Sequence, residues 1–231
     1  VQWVYERARL ARQLDDLLIA TDDDRVVQAC RSFGAQAVLT SPNHATGSDR
    51  IAEAIRGRPA DLIVNIQGDE PLVPPSVLDD LVAAMLARPQ ADMGTVAVPI
   101  PAEAPELHDP NVVKVVCDAQ DFALYFSRAP IPFARHPRTA RTVPLRHWGI
   151  YAFRRSFFEA FVAWPQGDLE CCESLEQLRA LEHGGRIFVL RGQVQTVGVD
   201  VPEDVPRAEA LMRQQGLWGG PPSTTATEKR S

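Results

Sequence analysis

The feature that most constrains this chain is an alternation in its first hundred residues. Short apolar, β-branched runs are separated by amphipathic stretches. The runs at 17–21, 37–40, 61–67 and 95–98 have strand length, and the stretches between them carry apolar residues at helical spacing. Asp22-Asp23-Asp24 supplies a helix cap, Val26, Val27 and Cys30 recur on one helical face, and Gly34 closes the end. Residues 44–50 form a loop that leads into a short helix at 51–55, with Ser48 or Asp49 as its cap. Gly68-Asp69-Glu70-Pro71 turns the chain after the strand at 61–67, and Pro74 and Pro75 open a helix that runs to about residue 87. Strands alternating with helices imply right-handed crossovers, so the chain is expected to be α/β, with a mostly parallel sheet covered on both faces.

After residue 110 the rhythm changes. Residues 112–116, 124–126 and 149–153 are strand-like without helices between them, which predicts an antiparallel excursion with 129–146 as a long loop or arm. Helical pattern returns at 155–164 and 169–183. A strand pair at 187–190 and 194–199 follows, then a last helix from 202 to about 215. The Gly-, Pro- and Thr-rich end, 216–231, has the composition of a disordered tail. The 231 residues suit one domain over 1–215, and 45% apolar residues suffice for a core.

A formal charge of −6 argues against a nucleic-acid partner, which selects a concentrated basic face. An anionic small molecule needs only a few placed arginines and a metal ion. The four cysteines have neither C-x-x-C nor zinc spacing, and Cys171 and Cys172 are adjacent, so a reduced protein is expected. No apolar run reaches the ~18 residues of a membrane span and no signal-peptide core is present, so the expectation is a cytoplasmic protein with no membrane partner.

In an open α/β sheet, ligands lie beyond the carboxyl ends of the strands. Asp69 and Asp200 each follow a strand there, and two such carboxylates suit Mg²⁺, a hard cation that keeps phosphate oxygens among its ligands. Each is equally an ordinary turn or cap residue. Thr46-Gly47-Ser48-Asp49-Arg50 stands at a helix start, either as a plain cap or as a site for an anion or a base edge, and it lacks Walker A spacing. Arg128, Arg146 and His147 flank the antiparallel segment, as a cluster for an acidic ligand or as a solvated arm. Glu176-Gln177 lies on a helix with Leu175, Leu178 and Leu181 as its apolar face, where polar residues are normally exposed.

Taken in order, the motifs carry more than each alone. They are Ala20-Thr21-Asp22, Ala45-Thr46-Gly47-Ser48-Asp49-Arg50, Val64-Asn65-Ile66-Gln67-Gly68-Asp69-Glu70-Pro71 and Asn111-Val112-Val113-Lys114-Val115-Val116. Then follow Ala123-Leu124-Tyr125-Phe126-Ser127-Arg128-Ala129-Pro130-Ile131-Pro132, Arg146-His147-Trp148-Gly149-Ile150-Tyr151, Leu175-Glu176-Gln177-Leu178-Arg179 and Gly198-Val199-Asp200-Val201-Pro202-Glu203-Asp204. Up to about Met212 the chain strongly resembles the 3-deoxy-manno-octulosonate (Kdo) cytidylyltransferases. The resemblance implies a Rossmann-like nucleotidyltransferase sheet with an antiparallel insert at about 111–153 that carries sugar binding and the homodimer contact. It implies transfer of CMP from CTP to Kdo with release of pyrophosphate, for lipopolysaccharide assembly. A sialic-acid-type CMP-sugar synthetase is the nearest alternative, and a non-catalytic nucleotide-binding dimer is another.

Carried over residue by residue, the resemblance makes Asp69 and Asp200 the catalytic metal ligands. Thr46, Gly47, Ser48, Asp49 and Arg50 hold the cytidine nucleotide. Gln67, Arg128, Arg146, His147, Tyr151, Glu176 and Gln177 line the Kdo pocket. Such proteins begin with a strand and a loop of the form Ala-Arg-x-x-Ser-x-Arg-Leu-Pro-Gly-Lys, roughly 25–30 residues of strand plus long loop. This sequence opens at Val1, inside a helical pattern, so the chain by itself is expected to be a fragment that folds poorly or is inactive.

Overall fold

The computed structural model describes residues 1–101, 103–136, 142–193, 198–199 and 201–217. Helix α1 (Gln2–Ala8) leads to β1 (Ile19–Thr21), α2 (Asp24–Ser32), β2 (Ala37–Leu39) and α3 (Gly47–Ala54). Then come β3 (Leu62–Asn65), α4 (Pro75–Leu86), β4 (Met93–Pro99), a 3₁₀ turn at Pro105–Leu107, β5 (Lys114–Cys117), β6 (Ala123–Ser127) and β7 (Leu145–Arg154). Helices α5 (Arg155–Ala163), α6 (Asp168–Glu173) and α7 (Gln177–Glu182), strand β8 (Ile187–Arg191) and α8 (Asp204–Gln214) complete the order.

The chain is α/β as expected, but its sheet is mixed where a mostly parallel one is expected. β1 and β2 form a small parallel pair, and β4 and β8 pair in parallel in the six-stranded sheet. β7 is the spine of that sheet. Its register runs antiparallel to all of β4, to β3 at one end and to β5 at the other, and β5 pairs antiparallel with β6. β3 and β4 therefore run parallel to each other, as their crossover through α4 demands, with β7 inserted between them. A fully buried strand reads the same in either direction, so apolar runs alone do not reveal such a return. The antiparallel excursion is thus real, and its last strand belongs to the centre of the fold.

Two apolar layers cover this sheet, and the period of two along β4 and β7 assigns side chains to them. Val96, Trp148, Ile150 and Ala152 face α1 and α4, packing with Val4, Ala8, Leu78, Leu81 and Met85. Met93, Ala97 and Phe153 face the other way, against Phe158 and Phe161 of α5 and Leu178 of α7. Gly94 sits under α4, where an added Cβ would lie 2.8 Å from Met85 Sδ, so the helix packs directly on the strand backbone.

Three local expectations change. The stretch 169–183 is two helices, because Ser174 adopts the left-handed region (φ 53°) and ends α6 before α7 begins. The cap of α3 is Thr46, whose side chain accepts from the Asp49 N–H while Asp49 accepts from the Thr46 N–H, a reciprocal box that lengthens the helix to Gly47–Ala54. Of the strand expected at 194–199, residues 194–197 lie outside the described residues, and Gly198 and Val199 form no ladder among the described ones. Most of the expected tail, 218–231, lies outside them too. Among the described residues no helix is long and apolar enough to cross a membrane.

Candidate active site

The β1–β2 pair and the larger sheet share no ladder among the described residues, and they face each other across a cavity of about 950 Å³. Leu17–Thr21 lines one side and Ile63–Glu70 the other, so the cavity opens at the carboxyl ends of β1 and β3, where an α/β sheet places its ligands. Gly47, Arg50, Gln67, Asp69, Arg128, Arg146, His147, Tyr151, Glu176 and Gln177 all line it. Ten of the residues expected from sequence, drawn from five separate stretches of chain, thus meet at one place.

On the β1 side the wiring is short. Thr46 and Asp49 cap α3, and Arg50 reaches back to Thr40 Oγ1 (2.8 Å) and Asp22 Oδ2 (3.0 Å). Ser48 is buried and donates to Glu176 Oε2 at 2.8 Å, which ties the start of α3 to the start of α7 across the cavity. Thr46, Ser48 and Asp49 therefore shape the helix end without lining the cavity, whereas Gly47 and Arg50 face it.

On the sheet side, a bulge between Thr95 and Val96 leaves carbonyls of β7 without ladder partners. Thr95 Oγ1 donates to Ile150 O (2.8 Å) and lies 3.3 Å from Trp148 O, so its one hydrogen is committed to the bulge. The contact of 3.0 Å between Thr95 Oγ1 and His147 Nε2 then assigns the proton to Nε2 and leaves Nδ1 as an acceptor. Burial pushes the His147 imidazole down to about 3, so the ring is neutral at working pH. Burial, and then the charge of Glu176, push the Tyr151 phenol up, so it stays protonated and donates to Gln177 Oε1 at 3.2 Å. Burial also raises Glu176, against the opposing bond from Ser48.

The break at Ser174 explains why Glu176 and Gln177 escape the usual fate of polar helix residues. It turns the start of α7 inward, so that Gln177 is only 3% exposed. Gln177 Nε2, Glu176 Oε1 and Trp148 Nε1 are buried and have no hydrogen-bond partner among the described residues. Glu176 Oε1 has the Arg179 guanidinium 3.7 Å away, whereas buried donors left without hydrogen bonds, such as Gln177 Nε2 and Trp148 Nε1, are costly and fit a ligand rich in oxygen acceptors. Gly149 is the glycine that matters here. A Cβ on it would lie 2.7 Å from Gln67 Nε2, so the Gln67 amide rests on bare backbone. Trp148, Gly149 and Asn111 line the cavity and are absent from the expected site. A glycine in mid-strand is the one signal among them that a sequence carries for close approach.

Asp69 follows β3 at the open end of the cavity beside Glu70, and Val199 N–H donates to Asp69 O at 2.9 Å. Asp200 itself lies outside the described residues. Among the described residues no group of three or more His, Cys, Asp or Glu could hold a metal ion alone. The oxygen donors at this end, the Asp69 and Glu70 carboxylates, instead fit a hard divalent cation that completes its shell with phosphate and water.

A family model described as cytidylyltransferase matches residues 1–187. A 3-deoxy-manno-octulosonate cytidylyltransferase of Solibacter usitatus is 47% identical over 219 residues, covering 95% of this chain and 86% of the relative. One of Pseudomonas fluorescens is 47% identical over 223 residues, covering 92% and 87%. A solved structure of CMP:2-keto-3-deoxy-manno-octonic acid synthetase complexed with CTP superposes with a TM-score of 0.87 at 38% identity, over 93% of this chain and 88% of that one. A 4-diphosphocytidyl-2C-methyl-D-erythritol synthase from Anaerococcus prevotii shares the fold alone, at 10% identity and a TM-score of 0.58. With a site of this composition between these two sheets, the chain belongs to the cytidylyltransferase family, among the 3-deoxy-manno-octulosonate cytidylyltransferases.

Proposed function

We propose that this chain transfers CMP from CTP to Kdo, releasing pyrophosphate. The observation that carries the reading is the convergence of Gln67, Asp69, His147, Tyr151, Glu176 and Gln177 on one cavity, in a chain 38% identical to a synthetase solved with CTP. The anomeric hydroxyl of the sugar attacks the α-phosphorus in line. An O–P bond forms, the bond to pyrophosphate breaks, and the hydroxyl proton leaves to solvent. Asp69 and Asp200 would hold Mg²⁺, which when bound would neutralise charge at the phosphates.

The protein's own groups provide position. Arg50 and the start of α3 bind the nucleotide. Gln67, neutral His147, Tyr151, Glu176 and Gln177 orient the sugar through its hydroxyls. Arg128 lines the cavity but already gives Nε, Nη1 and Nη2 to the carbonyls of Glu173, Pro110 and Ser174, which leaves two of its five N–H donors for a carboxylate. Arg146 also lines the cavity. Incubation with CTP, Kdo and Mg²⁺ tests the reading by release of pyrophosphate and formation of CMP-Kdo. Equal or better turnover with sialic acid would replace it with the sialic-acid reading. CTP binding without turnover of either sugar would favour the non-catalytic dimer.

The same reading includes a homodimer, a cytoplasmic setting and a place in lipopolysaccharide synthesis. Leu124, Phe133 and Val143 of the antiparallel region are exposed, Phe133 at 87%, which suits coverage by a second copy. Sedimentation of the chain and of Phe133→Asp tests this. A monomeric wild type refutes it.

A further inference from the structure

Behind the sugar half of the cavity, buried Lys114 and half-buried Glu173, which the proposed chemistry leaves unused, meet half-buried Arg128. Lys114 is fully buried, on a strand already held by ladders to β6 and β7. Its ammonium donates to three main-chain carbonyls, Asp109 O (2.9 Å), Val112 O (2.5 Å) and Arg128 O (2.5 Å). Arg128 donates to Pro110 O at 2.9 Å, so two cations grip three carbonyls of the segment 109–112. The same guanidinium holds Glu173 O (2.7 Å) and Ser174 O (3.3 Å), at the break that delivers Glu176 and Gln177 to the cavity. The Glu173 carboxylate returns the contact, accepting from Arg128 N–H (2.9 Å), Ser127 Oγ (2.6 Å) and Tyr125 OH (3.4 Å). Burial would raise the Glu173 carboxyl, yet these bonds outweigh it and hold it below the usual range.

We infer that Lys114 and Glu173 are positioning residues for sugar binding, which clasp the segment 109–112 and the α6–α7 break at a set separation across the cavity mouth. The strands need no such clasp, because backbone ladders already join them. What the two cations hold are loop carbonyls next to Asn111, Val112 and Ser174, which line the cavity. A lysine buried without compensation is expensive, and here three carbonyls and the nearby Glu173 compensate it. Holding both rims preorganises the sugar pocket and leaves the α3 nucleotide side untouched.

The inference rests on the assignment of this half of the cavity to the sugar, and the test separates the two. In Lys114→Met, the KM for Kdo should rise about tenfold or more while the KM for CTP stays within about twofold. Hydrogen exchange should quicken together at 109–113 and at 174–177, the two segments that the clasp holds. Ser127→Ala should move both readouts the same way by about two- to threefold, and it decides the matter if Lys114→Met does not fold. Equal rises in both KM values, or faster exchange at 109–113 alone, would overturn the clasp. If the wild type makes no CMP-Kdo, the functional reading fails and the paired exchange effect alone decides the clasp.

Discussion

The two walls of the cavity are built in opposite ways. The β1 wall is local: a two-stranded sheet, the Asp23 cap on α2, the Thr46–Asp49 box on α3, and Arg50 turned back to Asp22 and Thr40. The sheet wall is non-local. Thr95 meets Trp148 and Ile150, Gln67 rests on Gly149, and Arg128 meets Glu173 from 45 residues away. A wall made mostly of near neighbours in sequence tolerates small edits, because its caps each involve one turn of chain and its Arg50–Asp22 pair spans 28 residues. A wall made of distant contacts is rigid only when the whole sheet is assembled, so single changes there should act far beyond the altered atom.

That contrast can be broken by substitution. The largest effect is expected just beyond β3, where Asp69→Asn should lower kcat by about a thousandfold at unchanged melting temperature, since metal stabilisation of the transition state is worth several kcal/mol. A near-normal rate would remove Asp69 from the chemistry. Next is the buried pair of Glu170 and Arg179, both 4% exposed by side chain and joined at 2.6 Å, which bridges α6 and α7 across the Ser174 break. Glu170→Gln leaves a buried guanidinium uncompensated and should destabilise the protein by about 3–5 kcal/mol in urea unfolding. A change below 1 kcal/mol would show that the pair is not needed to hold α6 and α7 together.

Gly149→Ala comes third. It pushes the Gln67 amide off the strand and should raise the KM for Kdo severalfold with little change for CTP, as initial-rate kinetics would show. His147 adds a pH test. Its folded value near 3 lies below the ordinary 6.5, so as pH falls from about 6.5 towards 3 the unfolded chain takes up a proton that the folded chain refuses. Stability is lost over that window, and His147→Gln should flatten the loss in melting curves. The smallest effect belongs to the local wall, where Thr46→Ala should cost about 1 kcal/mol. A cost above 3 kcal/mol would mean that this wall too depends on the assembled fold.

The same division explains what could be read before the structure was in hand. The strands and helices of the first hundred residues are legible because period and caps are local signals, as Asp23, Gly34 and Pro75 show. Asp69 is legible because it follows an apolar strand and a glycine. Gln177 is legible only through the ordered motifs, since by local pattern its helical neighbours read as a solvent face until Ser174 turns the chain. Trp148, Lys114 and Glu173 look like ordinary core or surface residues, because their partners lie at sequence distances that no pattern covers.

By itself, then, the sequence determined the α/β class, the order of most elements, the capped start of α3, the carboxylate beyond β3 and, through its ordered motifs, the family. The tertiary structure alone decided that β7 threads antiparallel between β3 and β4, that its bulge presents a neutral His147 beside Gly149, and that buried Lys114 and half-buried Arg128 hold the loops at one end of the cavity. The physical reason is the range of the forces that choose between alternatives. Propensity, period and capping act within a turn or two, whereas strand direction, burial of charge and the shape of a cavity are settled only when distant segments compete for the same space.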